Sequence, residues 1–195
     1  MTAHLLLVLL GAFLLGSLPT AYLVAQAFAG VDIRAVGDGN PGAKNVYQSV
    51  GPLAGVLVAA VDIAKGAAAV GLAQSLGETG GVVRAVGLAA VLGHDFSPFL
   101  RFRGGQGMAA ILGVFGILYP WELAGCLALG ALAFLVTRNW DLSCAVAFVA
   151  FAGSLWFTGH TVAEALYPFV LLPTIGLKKA IQVWQARHAT NGLAR

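Results

Sequence analysis

The sequence predicts an all-α integral membrane protein, a single polytopic domain over residues 1–195 with about seven transmembrane helices and glycine-rich loops at the cytoplasmic face. Three observations predict it. Apolar residues make up 59% of the chain and charged residues only 10%, with a mean hydropathy of +0.86, more than a water-exposed surface tolerates. Apolar runs lie near 4–28, 51–75, 82–100, 107–119, 121–137, 142–158 and 162–177, most of them close to the roughly 20 residues that a helix needs to cross hydrocarbon. Two glycine-rich, charged islands, Val31 to Asn45 and Gly93 to Gly107, interrupt them.

The first run reads as a retained helix. Ala25-Gln26-Ala27 offers a small-x-small cleavage pattern, but no Lys or Arg precedes Leu5 and the run is longer than a signal-peptide core. The second, third, fifth, sixth and seventh runs read as single crossings. The fourth, 107–119, is short and ends at Pro120; it is either a tilted or half-crossing helix or one arm of a broken hairpin with its successor.

Orientation follows from the basic residues. With seven alternating crossings, Arg34, Lys44, Arg101, Arg103, Arg138, Lys178, Lys179, Arg187 and Arg195 fall on one side, which the positive-inside rule makes the cytoplasm. Glu78, Glu122 and Glu164 fall on the other. Both islands and the C-terminal segment Arg187 to Asn191 then reach the same aqueous face. The expected location is a bacterial cytoplasmic membrane, with the site on its inner side.

Several function classes are set aside by composition. The pI of about 9.1 comes from cations dispersed over juxtamembrane loops without stacking aromatics, so nucleic acid is not the expected partner. Cys126 and Cys144 lie in apolar runs and read as packing residues. His4, His94, His160 and His188 are scattered, with no ligand spacing on one helical face, so neither a metal nor another cofactor is expected.

The first island combines Gly37, Asp38, Gly39, Asn40, Pro41, Gly42 and Asn45, residue types that turn a backbone sharply and let successive N–H groups converge on an anion. Arg34 and Lys44 supply positive charge, and the helix beginning near Gly51 brings its positive dipole end to the same face. Alone, such a loop is equally well a polar turn. The second island adds His94, Arg101, Arg103, Gly104, Gly105, Gln106 and Gly107. Two phosphate-like loops on one face point to an anionic substrate. Asp62 and Lys65, three apart within an apolar run, read as a structural ion pair that relieves the cost of charge in hydrocarbon, the alternative being a Lys65 that snorkels to the cytoplasmic anion site.

Four segments in order then carry a resemblance: GSLPTAYLVAQAFAGVDIRAVGDGN from Gly16, DIAKG from Asp62, GHDFSPFLRFRGGQG from Gly93, and RHATN from Arg187. Along nearly its whole length the chain resembles the bacterial acyl phosphate:glycerol-3-phosphate acyltransferases, the PlsY family. The resemblance implies transfer of a fatty acyl group from acyl phosphate to glycerol 3-phosphate, giving lysophosphatidic acid and inorganic phosphate, in a membrane of lipids and with no obligate protein partner. Acyl phosphate is a mixed anhydride and already activated, so positioning and charge stabilisation suffice and no acyl-enzyme is needed. His188 and Asn191 match the family's tail motif and are the implied catalytic pair. The implied substrate-binding residues are those of the two islands, with Asp32, Ala43, Gly93, Pro98 and Phe102 also matching.

The departures fall on groups expected to meet phosphate. Asp38 stands where the family usually has Ser, Lys44 where it has Thr, Gln48 where it has Arg, Gln106 where it has Lys, and Ala110 where it has Thr. Lys44 beside Asp38 is expected to re-form the pocket by a compensating swap, with Arg101 or Arg103 replacing the charge absent at Gln106. The alternatives are a diverged acyltransferase with another donor or acceptor, and a non-catalytic membrane protein that binds a phosphorylated lipid precursor.

Overall fold

The computed structural model describes residues 2–171 and 173–174. Among them the regular elements are helices: α1 Thr2–Gly16, α2 Thr20–Ala29, α3 Ala43–Ser49, α4 Pro52–Ser75, α5 Gly80–Asp95, α6 Met108–Leu118, α7 Pro120–Thr137 and α8 Trp140–Phe157, then α9 Val162–Leu171. Short 3-10 turns cover Ile33–Ala35 and Pro98–Leu100. Three segments are long and apolar enough to cross a membrane, Ala3–Ala29, Pro52–Ser75 and Pro120–Thr137; Met108–Leu118, Leu142–Phe157 and Val162–Leu171 are shorter apolar helices. Large apolar side chains such as Leu6, Leu7, Leu53, Leu135 and Val136 stand exposed, the pattern of a lipid-facing surface.

Each apolar run of the sequence contains a helix, and prolines account for two differences in extent. The first run is broken into α1 and α2 at Ser17 to Pro19, because Pro19 lacks an N–H and disfavours the helical region for Leu18. The third run stops at Asp95 rather than continuing to residue 100. Pro98 imposes the same restriction on Ser97, and the chain turns tightly there. The short helix α3 lies where the sequence reads as loop; it starts at Ala43, the end of the first island.

The described residues form two compact units. The first comprises residues 2–114 with Leu171 and residues 173–174. Here α1 and α5 run parallel. His4 Nε2 and Glu78 Oε1 meet at 2.9 Å at their starts, and Ser97 Oγ donates to Ser17 O at 2.6 Å just past their ends. Their backbones touch because Gly16 lies against the Ala90 carbonyl and Gly93 against the Phe13 carbonyl, leaving no room for a Cβ at either position. Helix α4 joins them through Ala69 and Ala73, which share a core with Ala12, Val86 and Ala90. A second core holds the first island in place. Ala21 and Ala25 of α2 pack with Ile33, Val46, Ala54 and Val58, so the first small residue of the apparent cleavage pattern is interior while Ala27 stays exposed.

The second unit is Phe115–Val170. Phe115 stacks on Phe151 with ring centroids 4.5 Å apart and meets Tyr167 edge-on at 6.1 Å. Gly130 of α7 lies against Ala147 of α8. Glu122 Oε1 and His160 Nε2 are 2.9 Å apart, tying the start of α7 to the turn before α9. Cys126 is buried, and neither it nor Cys144 is in a disulfide.

Candidate active site

The first island is shaped from within by two polar side chains. Asp32 caps the turn at Ile33–Ala35, with Oδ1 accepting from Arg34 N at 2.9 Å. The Arg34 guanidinium closes back on it, Nε to Oδ1 at 2.9 Å and Nη2 to Oδ2 at 2.6 Å, and lies over the Tyr22 ring at 5.3 Å. The hydrogen bonds from Arg34 hold the Asp32 carboxyl below its ordinary value, and the bond to Asp32 raises Arg34 above its own. Asn45 is 1% exposed. Its Nδ2 faces the carbonyls of Ile33 and Val36 at 3.0 Å and of Asn40 at 3.1 Å, while Oδ1 accepts from Ser49 Oγ at 3.0 Å. Gly37, at φ 61°, passes so close to the Asn45 amide that a Cβ would collide with it.

The second island is latched to the end of α5. Gly104 N donates to Asp95 O at 3.1 Å and Gly105 N to His94 O at 3.2 Å. Gly105 crosses directly over the His94 ring, where a Cβ would strike Nε2. Arg101 and Phe102 adopt φ values of 54° and 61°, a left-handed turn that costs about 1–3 kcal/mol per non-glycine residue and persists only when its surroundings enforce it. Phe102 N donates to Ser97 O at 2.8 Å across this turn.

A pocket opens where these pieces meet. Leu18, Pro19, Thr20 and Ala21 of the α1–α2 break line it, with Pro41 of the first island, Asp62 and Lys65 of α4, and His94, Ser97, Leu100 and Gly105 of the second island. Lys65 Nζ lies 2.8 Å from Asp62 Oδ1, both side chains 3% exposed or less, and donates to Leu18 O at 3.1 Å. His94 Nδ1 is 3.7 Å from the same Asp62 oxygen. One buried carboxylate therefore faces an ammonium and an imidazole at the pocket wall. Helical breaks and glycine loops beside buried charge are a recurrent way to build polar sites at membrane depth.

Comparison with known proteins decides the family. A model described as glycerol-3-phosphate acyltransferase matches residues 6–193. The chain belongs to the glycerol-3-phosphate acyltransferase family. It is 42% identical to glycerol-3-phosphate acyltransferase 1 of Deinococcus radiodurans, covering 96% of this chain and 91% of that one. Identity to the glycerol-3-phosphate acyltransferase of Rubrobacter xylanophilus is 40%, over 97% and 91%. Among solved structures it is similar to PlsY, an integral membrane glycerol 3-phosphate acyltransferase. The glycerol 3-phosphate form of PlsY superposes with a TM-score of 0.82 at 31% identity, over 95% of this chain and 93% of that one; the lysophosphatidic acid form gives 0.80 at 30% over the same shares. The protein is thus a multi-pass membrane acyltransferase of bacterial type.

Within this acyltransferase the residues singled out from sequence divide by position. His94 and Gly105 line the pocket, and Pro41 carries the first island to it. Arg34 and Asn45 are engaged inside the island. The Gly39, Gly42, Gly104 and Gly105 N–H groups donate to chain carbonyls, so these glycines shape the backbone and allow close approach instead of turning amides toward an anion. Asp38 Oδ1 accepts from Asn40 N at 3.0 Å, and among the described residues no ion pair joins Asp38 to Lys44. Lys44, Arg101 and Arg103 are exposed, as is Gln48; Gln106 is half-buried and Gly107 is buried behind it. His188 and Asn191 lie outside the described residues. Thr20, Ser97 and the pair Asp62–Lys65 are pocket residues that were absent from the sequence-based site. Charge inside an apolar run is the signal for the pair, and its depth in the run favours the structural reading over a Lys65 that reaches the site.

Proposed function

We propose that this protein transfers a fatty acyl group from acyl phosphate to a hydroxyl of glycerol 3-phosphate, releasing lysophosphatidic acid and inorganic phosphate at the cytoplasmic face of a bacterial membrane. One observation carries the reading: three of the four family-like segments converge, with Pro41 of the first island, on a single pocket lined by Thr20, Lys65, His94 and Gly105. Membership of the family and the likeness to PlsY in its glycerol 3-phosphate and lysophosphatidic acid forms support the choice of acceptor and product. The chemistry suits such a pocket. The acceptor oxygen attacks the carbonyl carbon, the acyl–phosphate bond breaks with its electron pair leaving on phosphate, the hydroxyl proton ends on the released phosphate, and held geometry supplies most of the acceleration. In this reading His188 and Asn191 orient the acceptor, while Arg101, Arg103 and Lys44 attract anionic substrates to the face on which the positive-inside rule places them.

A second reading keeps the reaction type and changes a substrate. Asp38 sets its own carboxylate on the Asn40 amide, and Gln48 and Gln106 are neutral, so phosphate meets different contacts. Purified protein given palmitoyl phosphate and glycerol 3-phosphate should release phosphate and lysophosphatidic acid in equal amounts, and only when both substrates are present. Phosphate release without acceptor would show hydrolysis and overturn the proposal; transfer to another polyol phosphate in a substrate panel would favour the second reading.

A further inference from the structure

Phe99, Arg101, Phe102 and Arg103 belong to the second island but do not line the pocket. Phe99 is 59% exposed and Phe102 63%. Arg101 and Arg103 are exposed as well, and among the described residues no acid pairs with either. Leu100, between the two rings, turns the other way: it is buried and forms part of the pocket wall. The backbone gives the tip no freedom to hide its aromatics. Each N–H from Leu100 to Gly105 donates to a carbonyl of residues 94–100, and Arg101 and Phe102 hold left-handed φ values of 54° and 61°. Such a conformation persists only where its surroundings enforce it. The depth of the tip follows from α1. Its 15 residues rise about 22 Å, less than the roughly 30 Å of bilayer hydrocarbon. A helix that starts at one boundary, where His4 meets Glu78, therefore ends no farther than the opposite one. Ser97 is bonded to Ser17 O at 2.6 Å just past that end, and residues 99–103 directly follow it.

We propose that residues 99–103 are a docking surface for an anionic phospholipid of the surrounding bilayer. Phe99 and Phe102 enter the acyl edge of the headgroup layer, where aromatic rings are favoured, and Arg101 and Arg103 hold the lipid phosphate through charge-assisted hydrogen bonds. Charge complementarity selects the headgroup, because two cations stand within five residues that contain no acid. Leu100 links this surface to the pocket: a lipid seated on the tip braces the pocket wall from outside. The assignment depends on the bilayer and not on which acyl donor or acceptor the protein uses.

The test places a bimane fluorophore at Phe99→Cys, in full-length protein whose Cys126 and Cys144 are replaced by serine, and reconstitutes it in nanodiscs of phosphatidylcholine. A minor share of the lipid carries a nitroxide near the top of its acyl chain, on phosphatidylglycerol in one set and on phosphatidylcholine in the other. Both should quench the fluorophore, phosphatidylglycerol about threefold or more strongly. Arg101→Gln with Arg103→Gln should leave the melting temperature near that of the parent, since neither side chain is paired, and should make the two lipids quench equally. Arg101→Lys with Arg103→Lys keeps the charge and should keep the preference, as should saturating glycerol 3-phosphate. Equal quenching by the two lipids with both arginines present overturns the proposal. So does quenching by neither, which would place the tip in water or against another protein. A preference that glycerol 3-phosphate erases would assign the arginines to a soluble phosphate and overturn it too. A protein that performs no acyl transfer would sink the acyl-transfer reading and leave the quenching result to decide the docking surface.

Discussion

Asn45 fixes the shape of the first island because one buried amide faces three carbonyls of the loop that wraps around it. Asn45→Leu keeps nearly the same volume and removes those bonds. Val36 O and Asn40 O retain the N–H groups of Gly39 and Gly42, while Ile33 O, fully buried, loses its side-chain donor. A cost of about 1–3 kcal/mol is expected, read as a lower melting temperature in detergent, together with a raised KM for glycerol 3-phosphate as Pro41 shifts from the pocket. An unchanged KM would detach the island from the site. Asp32 makes a different prediction. Its native pKa is depressed by Arg34, so the stabilisation is present above the unfolded-state value and is lost as pH falls through the native one. With the carboxylate 37% exposed, the effect is under about 1 kcal/mol. The melting temperatures of wild type and Asp32→Asn should differ by a constant amount from about pH 7 to pH 5 and converge below about pH 4; a gap that persists in acid would show that the Arg34 pairing is not its source.

At the scale of elements, the close passage of α1 and α5 delivers the pocket. Gly93 abuts the Phe13 carbonyl and Ser17 Oγ, whereas Gly81, on the same helix, has open space around its missing Cβ. Gly93→Ala should therefore destabilise by about 1–3 kcal/mol through forced separation of the helices. Gly81→Ala should be neutral or stabilising by up to about 1 kcal/mol, since alanine is the better helix former. Thermal unfolding of the two variants side by side checks this, and equal effects would refute the packing account. The same helices show what sequence makes legible. Apolar length located each crossing segment, and proline located the breaks once the structure showed where the run yields, at Pro19 and Pro98. The start of α3 at Ala43 was hidden, because seven residues with Gly42 before them and Gly51 after them carry too little periodicity to separate helix from polar loop.

For the molecule as a whole, the glycine islands advertised a site but not the roles of their members. Composition says that a loop turns tightly; it does not say whether its amides face a ligand or a neighbouring carbonyl, and Gly104 and Gly105 take the second course. Arg34 looked like a ligand for phosphate until its carboxylate partner two residues away was seen to hold it. Long-range meeting is the part that one-dimensional pattern cannot supply. Thr20, Lys65 and Ser97 belong to the pocket only because α1, α4 and α5 bring residues far apart in sequence to one place. Substrates that occupy this pocket shield its wall from thiol reagents. Thr20→Cys, a near-isosteric change at the pocket wall, is to be labelled by a small thiol reagent in protein whose Cys126 and Cys144 are replaced by serine, with Phe99→Cys, exposed and outside the pocket, as control. Saturating glycerol 3-phosphate and a non-transferable acyl phosphate analogue should slow labelling at Thr20→Cys by about tenfold or more and leave Phe99→Cys unchanged. Equal labelling of Thr20→Cys with and without substrates, in protein that still turns over, would place the chemistry elsewhere.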